Sequence, residues 1–145
     1  MGPRDADDLM RGVTSASPCD AMARIHGHRC HVVGLVPARP GQVTTGPAAT
    51  IRFGPRRDDL PDHDLAAAAD RAMGDVPDGA LVVIAAPDAP GEAVAGGKNR
   101  AAPEELGAGG VVAWGSMRDG AEATGCRTGV WALGETPARA GTCCR

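Results

Sequence analysis

Aromatic side chains are nearly absent from this sequence. Phe53, Trp114 and Trp131 are its aromatic residues, out of 145, and it has no tyrosine. Hydrophobic residues still make up 43% of the chain, so a core must be built from alanine, valine, leucine and isoleucine. Each buried valine or leucine contributes about 1.5–3 kcal/mol. Such a core lets backbones approach closely but buries little area, and we expect oligomerisation to add stability.

The sequence also lacks a basic charge excess and a long apolar run. Its formal net charge of −3 provides no positive field for a nucleic-acid partner. No apolar run approaches the roughly 20 residues that span a bilayer, and the first ten residues, MGPRDADDLM, lack the apolar centre of a signal peptide. We therefore expect a cytoplasmic protein that binds neither nucleic acid nor membrane.

Cysteines show no pairing pattern. Five of them are scattered along the chain, which fits reduced thiols better than a disulfide framework. The segment 26–31, HGHRCH, places three histidines and one cysteine close together and raises the question of a metal site. Zinc ligands usually come as two spaced pairs, and this segment has a different spacing. A polar loop between a helix and a strand is the preferred interpretation.

Helix and strand signals alternate along the chain. Ser17 as N-cap, Pro18 at the first helical position and Gly27 at the end predict one helix. Other helices are predicted over 5–11, 65–73 and 98–106, with a short helical turn over 118–124. Strands are predicted over 32–36, 42–53, 80–86, 110–114 and 130–133, the second with a bulge or close packing at 46–49. Because buried strands alternate with helices, the fold class is α/β.

A glycine pair and a charged triplet carry the most specific chemistry. Gly96 and Gly97 allow backbone N–H groups to converge on an oxyanion. Arg118 offers a planar fork for a carboxylate, and Asp119 could hold a divalent metal ion directly or through water. If the turn is helical, Glu122 lies at offsets of four and three from these two residues and could hydrogen-bond a metal-bound water.

Together these groups would suit an α-keto acid that reacts through an enolate. From residue types alone, an exposed set of ion pairs is the competing interpretation.

The spacing of these residues matches a known family. Gly97 is followed by twenty residues, then Arg118-Asp119, then two residues, then Glu122. This is the pattern of the class II pyruvate aldolases that cleave 4-hydroxy-4-methyl-2-oxoglutarate. Further matching segments follow in the expected order: TSASPCDA at 14–21, GPAATI at 46–51, ALVV at 80–83 and GGVV at 109–112. The sequence therefore resembles the RraA-like family, which contains these aldolases and regulators of ribonuclease E activity.

The resemblance implies a single swivelling β/β/α domain over 13–137, between an N-terminal segment 1–12 and a tail 138–145. It also implies a homotrimer or homohexamer with sites between subunits. Family members usually continue with further strands, so the resemblance is to a C-terminally short member. The implied activity is that of a divalent-metal-dependent lyase on a 2-oxo acid, by retro-aldol cleavage to pyruvate or oxaloacetate decarboxylation through a metal-stabilised enolate.

The resemblance also implies roles for individual residues. Asp119 would anchor Mg²⁺ or Mn²⁺ through its water shell, with Glu122 supporting the metal waters. Arg118 would bind pyruvate and stabilise its enolate. The substrate carboxylate would be held by backbone amides at the end of the glycine turn, from the residues Gly96, Gly97, Lys98, Asn99 and Arg100.

Lys98 departs from the family pattern, since this position is often acidic or amide-bearing in aldolase-like members. Its charge could recruit an anionic substrate and assist catalysis, or it could repel the metal ion. Two alternatives to the aldolase therefore stay open. One is a non-catalytic regulator that acts through the surface of a ring-shaped oligomer. The other is a repurposed member that catalyses a different lyase or isomerase step on an acidic metabolite.

Overall fold

The chain contains both helices and strands and is an α/β protein, as the sequence predicts. A computed structural model describes residues 8–54, 59, 65–87, 91–96, 103–123, 125 and 127–138. The elements bounded within these ranges are, in order, α1 (Ala16–His26), β1 (Val36–Pro37), β2 (Ala48–Arg52), α2 (Leu65–Gly74), β3 (Leu81–Ala85), β4 (Ala93–Ala95), β5 (Gly110–Met117), α3 (Gly120–Ala123) and β6 (Gly129–Glu135).

β5 is the central strand of a 6-stranded sheet with the order β1-β6-β5-β3-β2, and β4 pairs with β5 off this path. The first part of β5 pairs with β3, and its last residues pair with β4 on the same side. β6 runs along the other side of β5. All of these pairs are parallel, whereas β1 is antiparallel to β6. The carboxyl ends of β4, β5 and β6 therefore lie at one edge of the sheet.

The core occupies one face of this sheet. Its central residues are the alternate positions of β3, β5 and β6, all nearly inaccessible to solvent: Val82, Ile84, Val111, Ala113, Val130 and Ala132. Met73 of α2 packs into the same cluster. Small aliphatic side chains thus form the core, as the shortage of aromatic residues predicts.

β3 is fully buried on one face only. Val82 and Ile84 are fully buried, but the alternate residues Leu81, Val83 and Ala85 are half-buried. Trp114 of β5, which pairs with Ala85 of β3, is 40% exposed. The physical reason is that the buried cluster, with Met73 of α2, lies on only one face of the strand among the described residues.

Several strands begin or end at residues other than those predicted. Their limits are determined by pairing with neighbouring strands, which cannot be read from the sequence. The predicted strand 32–36 overlaps β1 only at Val36, and the predicted strand 42–53 is shortened to β2. Residues 42–47 leave the ladder where Gly46 packs against the carbonyl of Gly79 and the Thr44 hydroxyl donates a hydrogen bond to the Gly109 carbonyl at 2.9 Å. β5 and β6 run past the predicted 114 and 133, and the three-residue β4 was not predicted.

The predicted helix 65–73 is confirmed as α2. The helix near residue 17 is confirmed as α1, which ends at Gly27 in the left-handed conformation (φ 68°) as predicted. Its N-cap is Ser15 rather than the predicted Ser17, and no side chain caps it. Most of the predicted helix 98–106 and part of 5–11 lie outside the described residues. No helix in the described part of the chain combines the length and apolar content needed to cross a bilayer.

The histidine- and cysteine-rich segment continues from the end of α1 into a loop. The rings of His26 and His28 stack with centroids 5.7 Å apart. Cys30 Sγ lies 3.6 Å from His28 Nδ1, and Cys19 Sγ lies 3.5 Å from His31 Nδ1. Across the residues that the structure describes, no three histidine, cysteine, aspartate or glutamate side chains are grouped so that they could hold a metal ion.

Candidate functional site

The residues that follow β4, β5 and β6 lie side by side. The Arg118 N–H donates to the Ala95 carbonyl at 2.9 Å, and the Thr136 N–H donates to the Met117 carbonyl at 2.8 Å. The ladder therefore continues to the last residue of each strand. In α/β sheets, ligands bind beyond the carboxyl ends of the strands. This edge carries Gly96, Arg118 and Asp119, which the sequence selected as site residues.

Arg118 lies directly against Gly96. A Cβ atom at position 96 would be 3.0 Å from Arg118 Nε and 3.2 Å from its Cγ. A side chain at position 96 would therefore require the arginine to shift by a few tenths of an ångström. The Arg118 side chain is 41% exposed, so its guanidinium is accessible to an incoming anion. The predicted residues that follow Gly96 (Gly97, Lys98, Asn99 and Arg100) lie outside the described residues.

Gly115 keeps β4 close to β5 and thereby positions Gly96. A Cβ atom at position 115 would lie 2.7 Å from Cγ2 of Val94, the central residue of β4. The pairing between these strands is brief and shifts in register between Ala93 and Ala95. A larger residue at 115 would therefore push away the strand that delivers Gly96 to the site.

Asp119 has an unusual backbone conformation. Its φ of 59° is the only positive φ of a non-glycine residue in the described part of the chain. Aspartate tolerates this left-handed conformation better than most residues. Here it ends β5 and turns the chain into α3. Asp119 Oδ2 lies 3.5 Å from Arg118 Nε, and the Asp119 side chain is 45% exposed. Strained backbone of this kind is concentrated at functional sites.

Glu122 follows on α3 but not by the predicted helical offsets. Because α3 begins at Gly120 and Asp119 is left-handed, residues 118 and 119 are not on a helical face shared with Glu122. The link is a turn in which the Glu122 N–H donates to the Asp119 carbonyl at 3.0 Å. Glu122 is exposed at the same edge of the sheet.

Glu135 is a residue of this edge that the sequence reasoning missed. Its Oε1 accepts a hydrogen bond from the Gly120 N–H at 2.9 Å, so it caps the turn directly after Asp119. A Cβ atom at Gly120 would lie 2.9 Å from Glu135 Oε2. The register between β5 and β6 is the feature that could have identified Glu135. Glu135 is the last residue of β6 and pairs with Met117, the last residue of β5. A parallel pairing of the two strands would have placed its carboxylate beside Arg118-Asp119.

The donors at this edge suit a magnesium ion that keeps its water. Asp119 and Glu122 are exposed carboxylates of one turn, yet no group of three potential ligands forms anywhere in the described ranges. Mg²⁺ is typically bound through one or two carboxylates, with water and substrate oxygens completing the octahedron. These residues therefore fit a hydrated Mg²⁺ or Mn²⁺ and not a site closed by protein ligands. Arg118 adds a fixed positive charge for an anionic ligand.

Comparisons with known proteins agree with this fold. A family model described as RraA-like, Aldolase/RraA, matches residues 15–143. No match was found among curated proteins. The crystal structure of Streptomyces coelicolor RraAS2, described as an unusual member of the RNase ES inhibitor RraA protein family, superposes with a TM-score of 0.81 at 23% identity. That match covers 98% of this chain and 69% of the other.

Two further solved structures are similar. One is an uncharacterized protein from Pseudomonas syringae pv. tomato, with a TM-score of 0.77, 21% identity and coverage of 92% of this chain and 57% of the other. The second is the RNA-processing inhibitor RraA from Thermus thermophilis, with a TM-score of 0.62, 19% identity and coverage of 86% and 73%. At such identities the structures show the fold alone. The family model spans most of the sequence, and the chain therefore belongs to the RraA-like (Aldolase/RraA) family.

Proposed function

We propose that this protein is a divalent-metal-dependent carbon–carbon lyase acting on a 2-oxo acid. The observation that carries the proposal is the contact of Arg118 with Gly96 at one end of the sheet, with the Asp119 carboxylate 3.5 Å from the same guanidinium. A fixed cation beside a metal-binding carboxylate is the arrangement needed to hold an α-keto acid and the enolate formed from it. The reaction is retro-aldol cleavage to pyruvate or decarboxylation of oxaloacetate.

Asp119 and Glu122 would hold Mg²⁺ or Mn²⁺, largely through water. The ion would act as a Lewis acid that polarises the substrate carbonyl. When the carbon–carbon bond breaks, its electron pair moves onto the carbon next to that carbonyl, and the negative charge spreads to the carbonyl oxygen. The other fragment leaves as CO₂ from oxaloacetate, or as a second pyruvate once the hydroxyl of the aldol substrate has given its proton to water. The enolate then takes up a proton at carbon to give pyruvate. Arg118 donates hydrogen bonds to the enolate oxygen or to the neighbouring carboxylate. Its charge is fixed in place before the reaction, which is the condition for strong stabilisation of a developing anion.

The residues after Gly96 complete the proposed pocket. Gly97, Lys98, Asn99 and Arg100 follow directly on the residue that contacts Arg118, and we assign their backbone amides to the substrate carboxylate. The Lys98 charge would draw the anion towards the site and assist catalysis. Glu122 would orient water beside the metal ion. By the same proposal the protein is a homotrimer or homohexamer with its sites between subunits.

An assay of pyruvate formation tests the lyase directly. Purified protein is incubated with Mg²⁺ or Mn²⁺ and either 4-hydroxy-4-methyl-2-oxoglutarate or oxaloacetate, and pyruvate is measured with lactate dehydrogenase. The rate with metal ion but no protein is subtracted, because oxaloacetate also decarboxylates in solution. Arg118→Gln should lower kcat by about 10²–10³, the usual effect of removing one anion-stabilising donor. Arg24→Gln, an exposed arginine on α1, is the matched control.

Two outcomes would overturn the lyase. One is pyruvate formation that Arg118→Gln leaves unchanged, and the other is full activity in the presence of a chelator. Absence of activity on both substrates, together with tight Mn²⁺ and oxalate binding, would point to a different lyase or isomerase step on another acidic metabolite.

A non-catalytic regulator is the second candidate. It is favoured by two of the similar structures, whose names describe inhibitors of RNA processing or of RNase ES. Calorimetric titration with Mn²⁺ and oxalate separates the two candidates. Binding that depends on Asp119 supports the lyase, whereas absence of binding supports regulation through the protein surface.

A further inference from the structure

A cavity lies at the opposite end of the sheet from the proposed metal site. Its volume is about 350 Å³, and it opens between residues 39–44 and the starts of β5 and β6, at Gly109 and Gly129. The proposed metal site follows the last residues of the same strands. β5 has 8 residues, and at about 3.3 Å per residue it separates the two regions by about 25 Å. The cavity is therefore distinct from the proposed metal site.

Two arginines give this cavity a positive charge. Arg39 and Arg127 line it, and none of the described residues that line it is an aspartate or a glutamate. In the described part of the structure neither guanidinium forms an ion pair. The nearby Glu104 carboxylate instead accepts a hydrogen bond from the backbone N–H of Arg127 at 3.2 Å. The whole chain has a net charge of −3, so the local charge of the cavity is opposite in sign to the net charge of the protein.

Trp131 is the aromatic residue among the described residues that line the cavity. Its ring lies against two glycines: a Cβ atom would be 2.6 Å from Trp131 Cζ3 at Gly129 and 3.2 Å from it at Gly110. Any larger residue at these positions would displace the ring. Gln42, which also lines the cavity, places its amide nitrogen 3.5 Å from the same Cβ position of Gly129. Trp131 is one of only three aromatic residues in the chain, and it lines the same cavity as two arginines and a glutamine.

The segment that closes the cavity is anchored at both ends. The Thr44 hydroxyl donates to the Gly109 carbonyl at 2.9 Å, and the Ala38 N–H donates to the Val130 carbonyl at 2.8 Å. These bonds tie the residues around Arg39 to the starts of β5 and β6. Arg39 is thus presented by a braced segment and Trp131 by β6, which lowers the ordering cost of binding a ligand.

We propose that this cavity binds a small organic anion that carries a flat ring, such as a nucleoside monophosphate or an aromatic carboxylate. Arg39 and Arg127 would pair with the phosphate or carboxylate, for which the guanidinium geometry is suited. The ring would stack on Trp131, a contact worth about 0.5–1.5 kcal/mol beyond its area. The volume lies in the range of about 300–1,000 Å³ that is typical of small-molecule sites. This proposal does not depend on the metal site.

Tryptophan fluorescence provides a direct test. The chain has two tryptophans, so Trp114→Phe leaves Trp131 as the single reporter. This variant is titrated with adenosine monophosphate and with benzoate, which distinguish the two sources of the anion. Inorganic phosphate and adenosine are the probes that carry only the charge or only the ring. Each titration is repeated on the unsubstituted protein by calorimetry, which does not rely on the reporter.

The expected result is saturable quenching by adenosine monophosphate, benzoate or both, at concentrations where adenosine and phosphate bind weakly. Arg39→Gln and Arg127→Gln should each weaken binding about tenfold, a change of about 1.4 kcal/mol. Arg24→Gln on α1 should not change it. The proposal is overturned if neither ring-bearing anion binds, if adenosine binds as tightly as its monophosphate, or if both cavity variants bind like the Arg24 control.

Discussion

Removal of the Glu135 carboxylate should loosen the turn that carries Asp119. Glu135 Oε1 accepts a hydrogen bond from the Gly120 N–H at 2.9 Å. Hydrogen bonds to charged groups contribute about 1.5–3 kcal/mol, but Glu135 is exposed, so we expect about 1 kcal/mol, the usual effect of an N-cap. The left-handed Asp119 (φ 59°) costs roughly the same amount. The capping bond therefore offsets the backbone strain, and its loss should leave the turn poorly ordered.

Urea unfolding of Glu135→Ala and Glu135→Gln measures this effect. The alanine variant should lose about 1 kcal/mol, with a fall in Tm of about 3–5 °C for a chain of this size. The glutamine variant keeps an oxygen that can accept the hydrogen bond, so it should lose about half as much. Mn²⁺ affinity should fall in the same order, because the capped turn positions the Asp119 carboxylate. Calorimetry measures that affinity.

Glu105→Ala is the matched control, since Glu105 is exposed and lies on a helical turn away from the site. Exposed substitutions of this kind usually change stability by less than about 0.5 kcal/mol. If Glu135→Ala is no less stable than Glu105→Ala, the capping bond does not hold the turn. If the alanine and glutamine variants lose stability and Mn²⁺ affinity equally, the effect comes from charge and not from the hydrogen-bond acceptor.

Two further substitutions test the geometry of the site. Gly115→Ala should destabilise the protein by about 1–3 kcal/mol, as overpacking does, since its Cβ would lie 2.7 Å from Val94. Gly134→Ala is the control, because its Cβ meets nothing within 4 Å. Equal melting temperatures for the two variants would refute the role of Gly115. Asp119→Gly should be more stable to urea than Asp119→Ala by about 0.5–1 kcal/mol, because glycine adopts a positive φ without strain but loses more chain entropy on folding. Equal stability of the two would show that the turn does not enforce the φ of 59°.

The elements that sequence reasoning located well are those with strong local signals. α1 ends at Gly27 because a left-handed C-cap favours glycine, and that signal lies in a single residue. β3 lies within a run of seven apolar residues, 80–86, that is followed by a proline. β4 has no such signal, since Ala-Val-Ala is equally compatible with a helix. It is a strand because Ser116 and Met117 of β5 lie beside it, and this pairing depends on residues more than twenty positions away.

The same distinction applies to the site. Arg118 and Asp119 were found through their fixed spacing from a glycine, and the structure brings Gly96 against Arg118. Glu135 was missed because its neighbour Gly120 is 15 residues earlier in the chain, on a different strand end. The left-handed conformation of Asp119 was also missed, since aspartate favours it only slightly and the short α3 and the Glu135 cap impose it.

The twenty-residue spacing can now be explained by the fold. Of the residues 98–117, the last 8 form β5. The other twelve belong to the connection from β4 to β5, which comprises 14 residues, 96–109. A crossover between parallel strands needs at least about 10–12 residues, so the motif spacing is close to one minimal crossover plus one strand. Because Ala95 pairs with Met117, the two strands end at the same level, and the residues that follow must meet. An inserted residue within 104–108 would lengthen the connection and leave Gly96 beside Arg118. An inserted residue within β5 would shift Arg118 along the ladder and separate the two. The spacing is therefore informative because it sets the register of the sheet, and the chemistry of the site depends on that register.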